Sequence, residues 1–271
     1  MSLLRIIAAL AGVGLSGGPA SAADLAFDGS LRAGVYAGAD RATGFVAADL
    51  RLVLPRLAGP LGFEAGAFGL GIAADTPHET YASVIADFGA FRLGAGVPRP
   101  GFDSFAISPL ERLVPVRGLA GDRIAATRSR VTWGAMYGGD LPVGALISGQ
   151  AGSVGWALSA HRVKQRDLTV ASLGLGWEAK DWRLGAGVEW GSDGEIGGKA
   201  QVERDFAAVT LGVSTYAARP GNGHLSEGFL AWRATDRMTV SALVQVQSGA
   251  GDALAVVAAH YGFERGGTAS L

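Results

Sequence analysis

The sequence predicts an all-β fold, a transmembrane antiparallel β-barrel, and three observations carry that prediction. Runs of about ten residues alternate apolar and polar at period two, as strands with one lipid-facing side do. Hydrophobic residues make up 49% of the 271 and mean hydropathy is positive. Even so, no run after the first 22 residues approaches the roughly 20 apolar residues of a spanning helix. Glycine supplies 43 residues, about twice the usual share, and cysteine is absent. An apolar, glycine-rich chain without spanning helices can satisfy its backbone in a membrane only by pairing strand to strand in a closed sheet. A large secreted β-sandwich is the competing fold, and the periodicity must separate the two.

The N-terminal stretch reads as an export signal. Arg5 is a short positive start, Ile6 to Leu15 form an apolar run of ten residues, and Gly17, Gly18 and Pro19 break any helix ahead of Ala20-Ser21-Ala22. That is the pattern of a secretory signal with an A-x-A cleavage site. Residues 1–22 are therefore expected to be removed, 23–263 to form the barrel as one domain, and 264–271 to be a tail. Basic and acidic residues nearly balance, 23 against 24. A nucleic-acid binder would show a basic face, so no nucleic acid is expected as partner. Without cysteine there is neither a disulfide nor a thiolate zinc site.

The clearest strand is 182–191. Trp182, Leu184, Ala186, Val188 and Trp190 share one face, while Arg183, Gly185, Gly187 and Glu189 share the other. Eight residues at about 3.3 Å each, tilted about 40°, project roughly 20 Å, close to the apolar band of about 25 Å that aromatic girdles flank. Trp182 and Trp190 are accordingly read as lipid-facing girdle residues, with Tyr261 and Phe263 on the face shared by Ala255, Val257 and Ala259. The same alternation marks 25–35, 45–54 and 238–248. Less regular strands are predicted at 61–73, 79–88, 90–97, 129–137, 144–150, 154–162, 168–178, 198–204, 207–216 and 225–233. Short connections at 179–181, 204–205 and 234–237 alternate with longer ones at 192–197 and 217–224, the asymmetry of a transmembrane barrel rather than a sandwich. This gives fifteen strands. Single-chain bacterial barrels have an even number, so sixteen are expected, fourteen being the fallback; the pattern is weakest over 98–152.

Between the strands near Val97 and Ser129 lies the longest irregular stretch. Pro98, Pro100, Pro109 and Pro115 argue against a strand there. Its apolar residues, among them Phe102, Phe105, Ile107 and Leu110, argue for an anchored segment, and its charges are Asp103, Glu111, Arg112, Arg117, Asp122 and Arg123.

Four segments resemble the general porins of photosynthetic alphaproteobacteria, the Rhodobacter and Rhodopseudomonas type. They are DGSLRAGVYAG at 28–38, DLRLVL at 49–54, FRLGAGVPRPGFDSFA at 91–106 and, more loosely, VVAAHYGF at 256–263. The resemblance implies a homotrimeric, sixteen-stranded, water-filled channel in the bacterial outer membrane, set in its lipid and inserted by the outer-membrane assembly machinery. Small hydrophilic solutes and ions would diffuse passively through it, and no cofactor is implied. It also implies that the third loop, about 98–127, folds inward and constricts the lumen. Asp103 and Glu111 then become loop carboxylates, with Arg112 and Arg117 on the same loop. Arg32, Arg51 and Arg92, each on the polar face of its strand, become wall cations. The chain departs from the family by continuing past Phe263 with ERGGTASL. Its inward faces are also rich in Gly and Ala, and Glu64 stands as an isolated charge. A narrowed or plugged lumen is consistent with that composition, which keeps a non-conducting structural or adhesive barrel as the alternative.

Catalysis has little support. His78, His161, His224 and His260 have no neighbours at metal-ligand spacing. His224 with Ser226 and Glu227 is the nearest approach to a catalytic set and matches no motif. The Gly-x-Gly pairs at 69–71, 174–176 and 185–187 lie at strand period, not at a strand-to-helix junction. They are read as leaving room in the lumen or for neighbouring side chains rather than as a dinucleotide fingerprint.

Overall fold

The computed structural model describes residues 26–37, 42–72, 78–109, 127–217, 224–248, 253–263 and 267–270. Among them a single sheet runs in chain order, each strand antiparallel to the next. Its strands are β1 (Ala26–Ala37), β2 (Ala42–Ala58), β3 (Leu61–Ile72), β4 (His78–Asp87), β5 (Phe91–Val97), β6 (Pro142–Ala151), β7 (Val154–Val163) and β8 (Leu168–Ala179). They continue with β9 (Trp182–Gly191), β10 (Ile196–Phe206), β11 (Val209–Ala217), β12 (Leu225–Arg233), β13 (Met238–Gln247), β14 (Ala253–Phe263) and β15 (Gly267–Ser270). The count is thus fifteen among the described residues, neither the sixteen expected nor the fallback of fourteen. An odd antiparallel meander leaves its first and last strands running the same way. β1 and β15 approach within 8 Å, Cα to Cα, but no ladder joins them among the described residues.

Two corrections produce this count. The predicted strand at 129–137 is helical, a π-type turn over Arg130–Ala135 followed by a 3-10 turn over Met136–Gly138. Ser129 caps it, its hydroxyl accepting from the Val131 N–H, and Gly139 ends it at φ 83°. Val131, Thr132, Ala135 and Met136 are all buried, and that spacing is a helix face. In the other direction, β15 arises from residues expected to be tail, pairing with β14 from His260↔Ser270 to Phe263↔Gly267. β5 therefore pairs directly with β6, and everything between Val97 and Pro142 is one insert.

The two rims differ as the connections suggest. Turns at Gly59-Pro60, Gly152-Ser153, Lys180-Asp181 and Ala207-Ala208 are tight, Lys180 and Ala207 taking positive φ. The hairpin expected at Arg204-Asp205 thus lies three residues later, because β10 and β11 stay in register to Phe206↔Val209. Longer connections and the insert occupy the opposite rim. Pro55, which cannot donate to a ladder, is tolerated inside β2 because the pairing with β3 shifts register between Leu54 and Ala58.

The sheet is inside-out compared with a soluble protein. Val257 is 76% exposed, Val213 60%, and Leu184, Trp182 and Trp190 about 40%, all on the outward face. The opposite face buries Ser159, His161, Ser172, Glu189, Lys199, Gln201 and Glu227. Trp182, Leu184 and Trp190 share this exposed face, and Phe91, Phe206 and Trp232 join Trp182 as exposed aromatics near the tight-turn rim. The side chains of Tyr261 and Phe263 lie outside the described residues. For an outward face set in lipid, as the sequence predicts, Leu184→Arg should cost about 2–4 kcal/mol near mid-membrane. Ser148→Arg, inward from β6, should cost far less; equal losses in a detergent unfolding titration would contradict this division of faces.

Candidate functional site

The insert leaves the sheet after Val97 and turns into the barrel, where the inner walls of several strands receive it. The Gly101 N–H donates to Ser159 Oγ (2.9 Å) and the Phe102 N–H to Ser172 Oγ (3.1 Å), the two hydroxyls lying 2.9 Å apart on β7 and β8. Inward glycines make this approach possible. A Cβ at Gly174 would sit 2.1 Å from the Gly101 carbonyl oxygen, one at Gly176 2.3 Å from the Phe105 ring, and one at Gly185 2.5 Å from the Ala106 nitrogen. The Gly-x-Gly pairs of β8 and β9 are thus a floor on which another stretch of backbone rests.

Charge fixes the insert further. Asp103 is buried, accepting from the Ser129 N–H (2.8 Å) and the Thr132 hydroxyl (2.6 Å), with Lys199 Nζ at 3.9 Å. Lys199 also donates to the Thr127 carbonyl at 2.9 Å and lies 4.5 Å from the centre of the Phe102 ring. Glu189 accepts from Ser129 Oγ and the Arg130 N–H, and Glu79 from Arg128 and the Tyr81 hydroxyl. Farther round the wall, Glu227 accepts from Ser108, Tyr216 and Gln245, while Gln201 donates to the Ile107 carbonyl. The His161 imidazole Nε2 lies 2.9 Å from the Pro98 carbonyl. The insert is therefore tied to β4, β7, β8, β9, β10 and β12.

Two spaces remain beside it. One, about 750 Å³, is lined by Asp49, Arg51, Glu64, Asp87, Arg92 and Arg99, among others. The second, about 580 Å³, includes Gln150, Glu178, Arg183, Gln201 and Glu203. Ser104, Phe105 and Gln150 line both. In the larger space Glu64 is not isolated. It accepts from Arg51 Nε and Arg92 Nη1, each at 2.9 Å. In the smaller, Arg183 bridges Glu203 (3.0 Å) and Asp205 (2.6 Å).

The expected constellation is thus brought together only in part. Arg51 and Arg92 share a water-accessible cavity, but the carboxylate they meet is Glu64 of the wall. Asp103 lines neither cavity; burial favours using it as an anchor, because its two oxygens are taken by the insert's own second limb. Glu189, expected to face water, is buried under the same limb. Glu111, Arg112 and Arg117 lie outside the described residues, as does the side chain of Arg32. Glu79, Lys199 and Gln201 are not among the residues singled out from sequence, and Glu227 is singled out only beside His224 and Ser226, although the polar alternation of Lys199, Gln201 and Glu203 along β10 is visible in sequence. His224, Ser226 and Glu227 do not converge, since Ser226 is exposed on one face and Glu227 buried on the other. Among the described residues no group of three or more His, Asp or Glu side chains is placed to hold a metal ion.

Burial tends to raise the Asp103 carboxyl, but the Arg128 and Lys199 charges and the Thr132 and Ser129 donors hold it below the usual carboxylate range. A depressed folded pKa stabilises the anchored state fully above the ordinary value of about 3.9 and loses that contribution as pH falls through the lowered one. Protection of the insert from proteolysis should be unchanged from neutral pH down to that range and fall only below it. Asp103→Asn should show the acid behaviour at pH 7, and the idea fails if the two proteins have the same pH profile.

No family profile matches the chain, and no curated protein matches it. Among solved structures it is similar to engineered variants of the porin of Rhodopseudomonas blastica. One superposes with a TM-score of 0.67 at 17% identity, covering 91% of this chain and 93% of that one; another gives 0.66 with the same identity and coverage. It is more distantly similar to OmpT, an outer membrane protein of Vibrio cholerae, with a TM-score of 0.50 at 12% identity, covering 89% of this chain and 83% of that one. The fold is that of a porin-type barrel.

Proposed function

We propose that the chain is an outer-membrane porin, a passive diffusion channel for small hydrophilic solutes and ions rather than an enzyme, with the insert narrowing its lumen. The observation that carries the reading is the pair of charge-lined spaces between the insert and the wall, inside a sheet whose exposed outer face is apolar. An apolar exterior suits lipid, and charged walls suit hydrated permeants. The likeness in fold to a Rhodopseudomonas porin supports it. The reading includes export under the signal at 1–22, insertion by the outer-membrane assembly machinery, and association into a homotrimer.

Incorporation of the purified protein into a planar lipid bilayer tests it, the expected result being discrete, stable current steps. A second reading, a structural or adhesive barrel that does not conduct, is favoured by the buried polar ties that fill the lumen from β4 to β12. Correctly inserted, folded protein that gives no current would select that reading over the first.

A further inference from the structure

We infer that the outward face of the tight-turn rim carries a site for the phosphodiester of a phospholipid headgroup, centred on Arg204 and walled by Trp182 and Phe206. This rests on the reading of that face as lipid-facing. Along β10 the even positions point outward: Ile196, Val202 and Phe206 are exposed there. Arg204 is in the same set, two residues before the strand ends. A charge on the lipid face costs about 2–4 kcal/mol at mid-membrane but only about 0–1 near the interface, so its place beside the turn is the one that tolerates it.

Among the described residues no carboxylate neutralises this cation. Its neighbours Glu203 and Asp205 point the other way, into the lumen, and are held by Arg183. No ion pair to Arg204 occurs among the described residues, and its Nε is buried without a hydrogen-bond partner. The guanidinium instead lies 4.8 Å from the centre of the Trp182 ring and 4.5 Å from that of Phe206. Two aromatic faces orient the planar group by cation–π attraction, and with Nε buried the donors left to meet a ligand are its two Nη groups. A planar fork of donors matches two phosphate oxygens, and aromatic belts sit at headgroup depth, where phosphodiesters lie. The turns beside it add two cations, Lys180 and Arg233, the latter donating to the Ala207 carbonyl at 3.1 Å, and one anion, Asp181, so the local field is positive.

The full chain in dodecyl maltoside, titrated with dioleoylphosphatidylglycerol and read by native mass spectrometry and tryptophan fluorescence, tests the site. Arg204→Gln should weaken binding of one lipid about tenfold, the loss of one charge-assisted contact. Arg204→Lys, which keeps the charge without the fork, should weaken it less. Arg162→Gln, at the opposite rim where Arg162 pairs with Asp167, should bind as the unmodified chain does. Equal affinity in the unmodified and Arg204→Gln proteins would overturn the inference, as would an equal loss in Arg162→Gln. Inorganic phosphate displacing the lipid would mark a free-anion site instead, and a change only in oligomer mass would mark a contact between copies; either rejects the lipid. Current steps measured on the same Arg204→Gln protein report on the channel reading separately.

Discussion

Replacing 101–139 by a short glycine–serine turn should raise single-channel conductance severalfold while leaving the barrel folded. β5 and β6 already pair directly from Phe91↔Gly149 to Gly96↔Gly144, so the replacement needs only to become one more hairpin. Current through a wide aqueous pore scales with its open cross-section, and the insert occupies the lumen from Glu79 to Glu227. The cost to the wall is modest. Removing one partner of a buried charge is destabilising by about 3–5 kcal/mol when the other stays buried. Here the departing insert admits water to Glu189, Lys199 and Glu227, so none is left dry. Heat-modifiable migration in gels checks the fold and planar-bilayer recording checks the current. Unchanged conductance in a folded barrel would remove the insert from the permeation path.

Neutralising Glu64 should shift ion preference toward anions more strongly than any substitution at Asp103. Glu64→Gln leaves Arg51 and Arg92 as two cations on one cavity wall without their shared carboxylate. A unit charge about 8 Å from a permeant contributes about 0.5 kcal/mol at water's dielectric and about 2 kcal/mol at an effective dielectric of 20. The permeability ratio should accordingly change by between about twofold and about thirtyfold. Arg92→Gln should move the reversal potential the other way, and high salt should blunt both shifts. Asp103→Asn should leave preference unaltered at moderate pH, since that carboxylate touches no cavity. A shift at Asp103 larger than at Glu64 would restore the arrangement that the family resemblance suggested.

The lines of the fold were readable because period-two patterning acts locally. Trp182 to Trp190 declares its two faces without reference to any other strand, and so does the run from Met238 to Gln247. Residues 129–137 defeated the same logic. Val131, Trp133, Ala135 and Tyr137 satisfy a strand, Val131, Thr132, Ala135 and Met136 satisfy a helix, and only the Ser129 cap separates the two. The site was harder for a different reason. That Glu64 meets both Arg51 and Arg92 depends on the registers of β2, β3, β4 and β5, in which Val53 faces Glu64 and Glu64 faces Ser83. Sequence spacing contains no such information. The inward glycines were visible as a pattern, but their occupant, the backbone at Gly101 and Ala106, comes from more than 70 positions away at Gly174 and Gly185.

The tie between Ser108 and Glu227 spans 119 residues, and that between Gln201 and Ile107 spans 94. Contacts so distant along the chain form slowly, because a long loop must close before they return any stabilisation. Among the described residues, the hydrogen-bond partners of the insert, apart from Glu79 and its own second limb, lie in strands and turns that follow it. The first half of the chain therefore cannot settle its own interior until the second half has arrived. A chain laid down from its N-terminus would hold Asp103 and Ser108 in water until β8 to β12 came round, and the threading of the insert must precede the final approach of the two edges. With β1 and β15 brought within 8 Å of each other, Cα to Cα, the wrapped sheet holds the segment by geometry as well as by bonding. The slow step of maturation should then be this enclosure, not the zipping of adjacent hairpins.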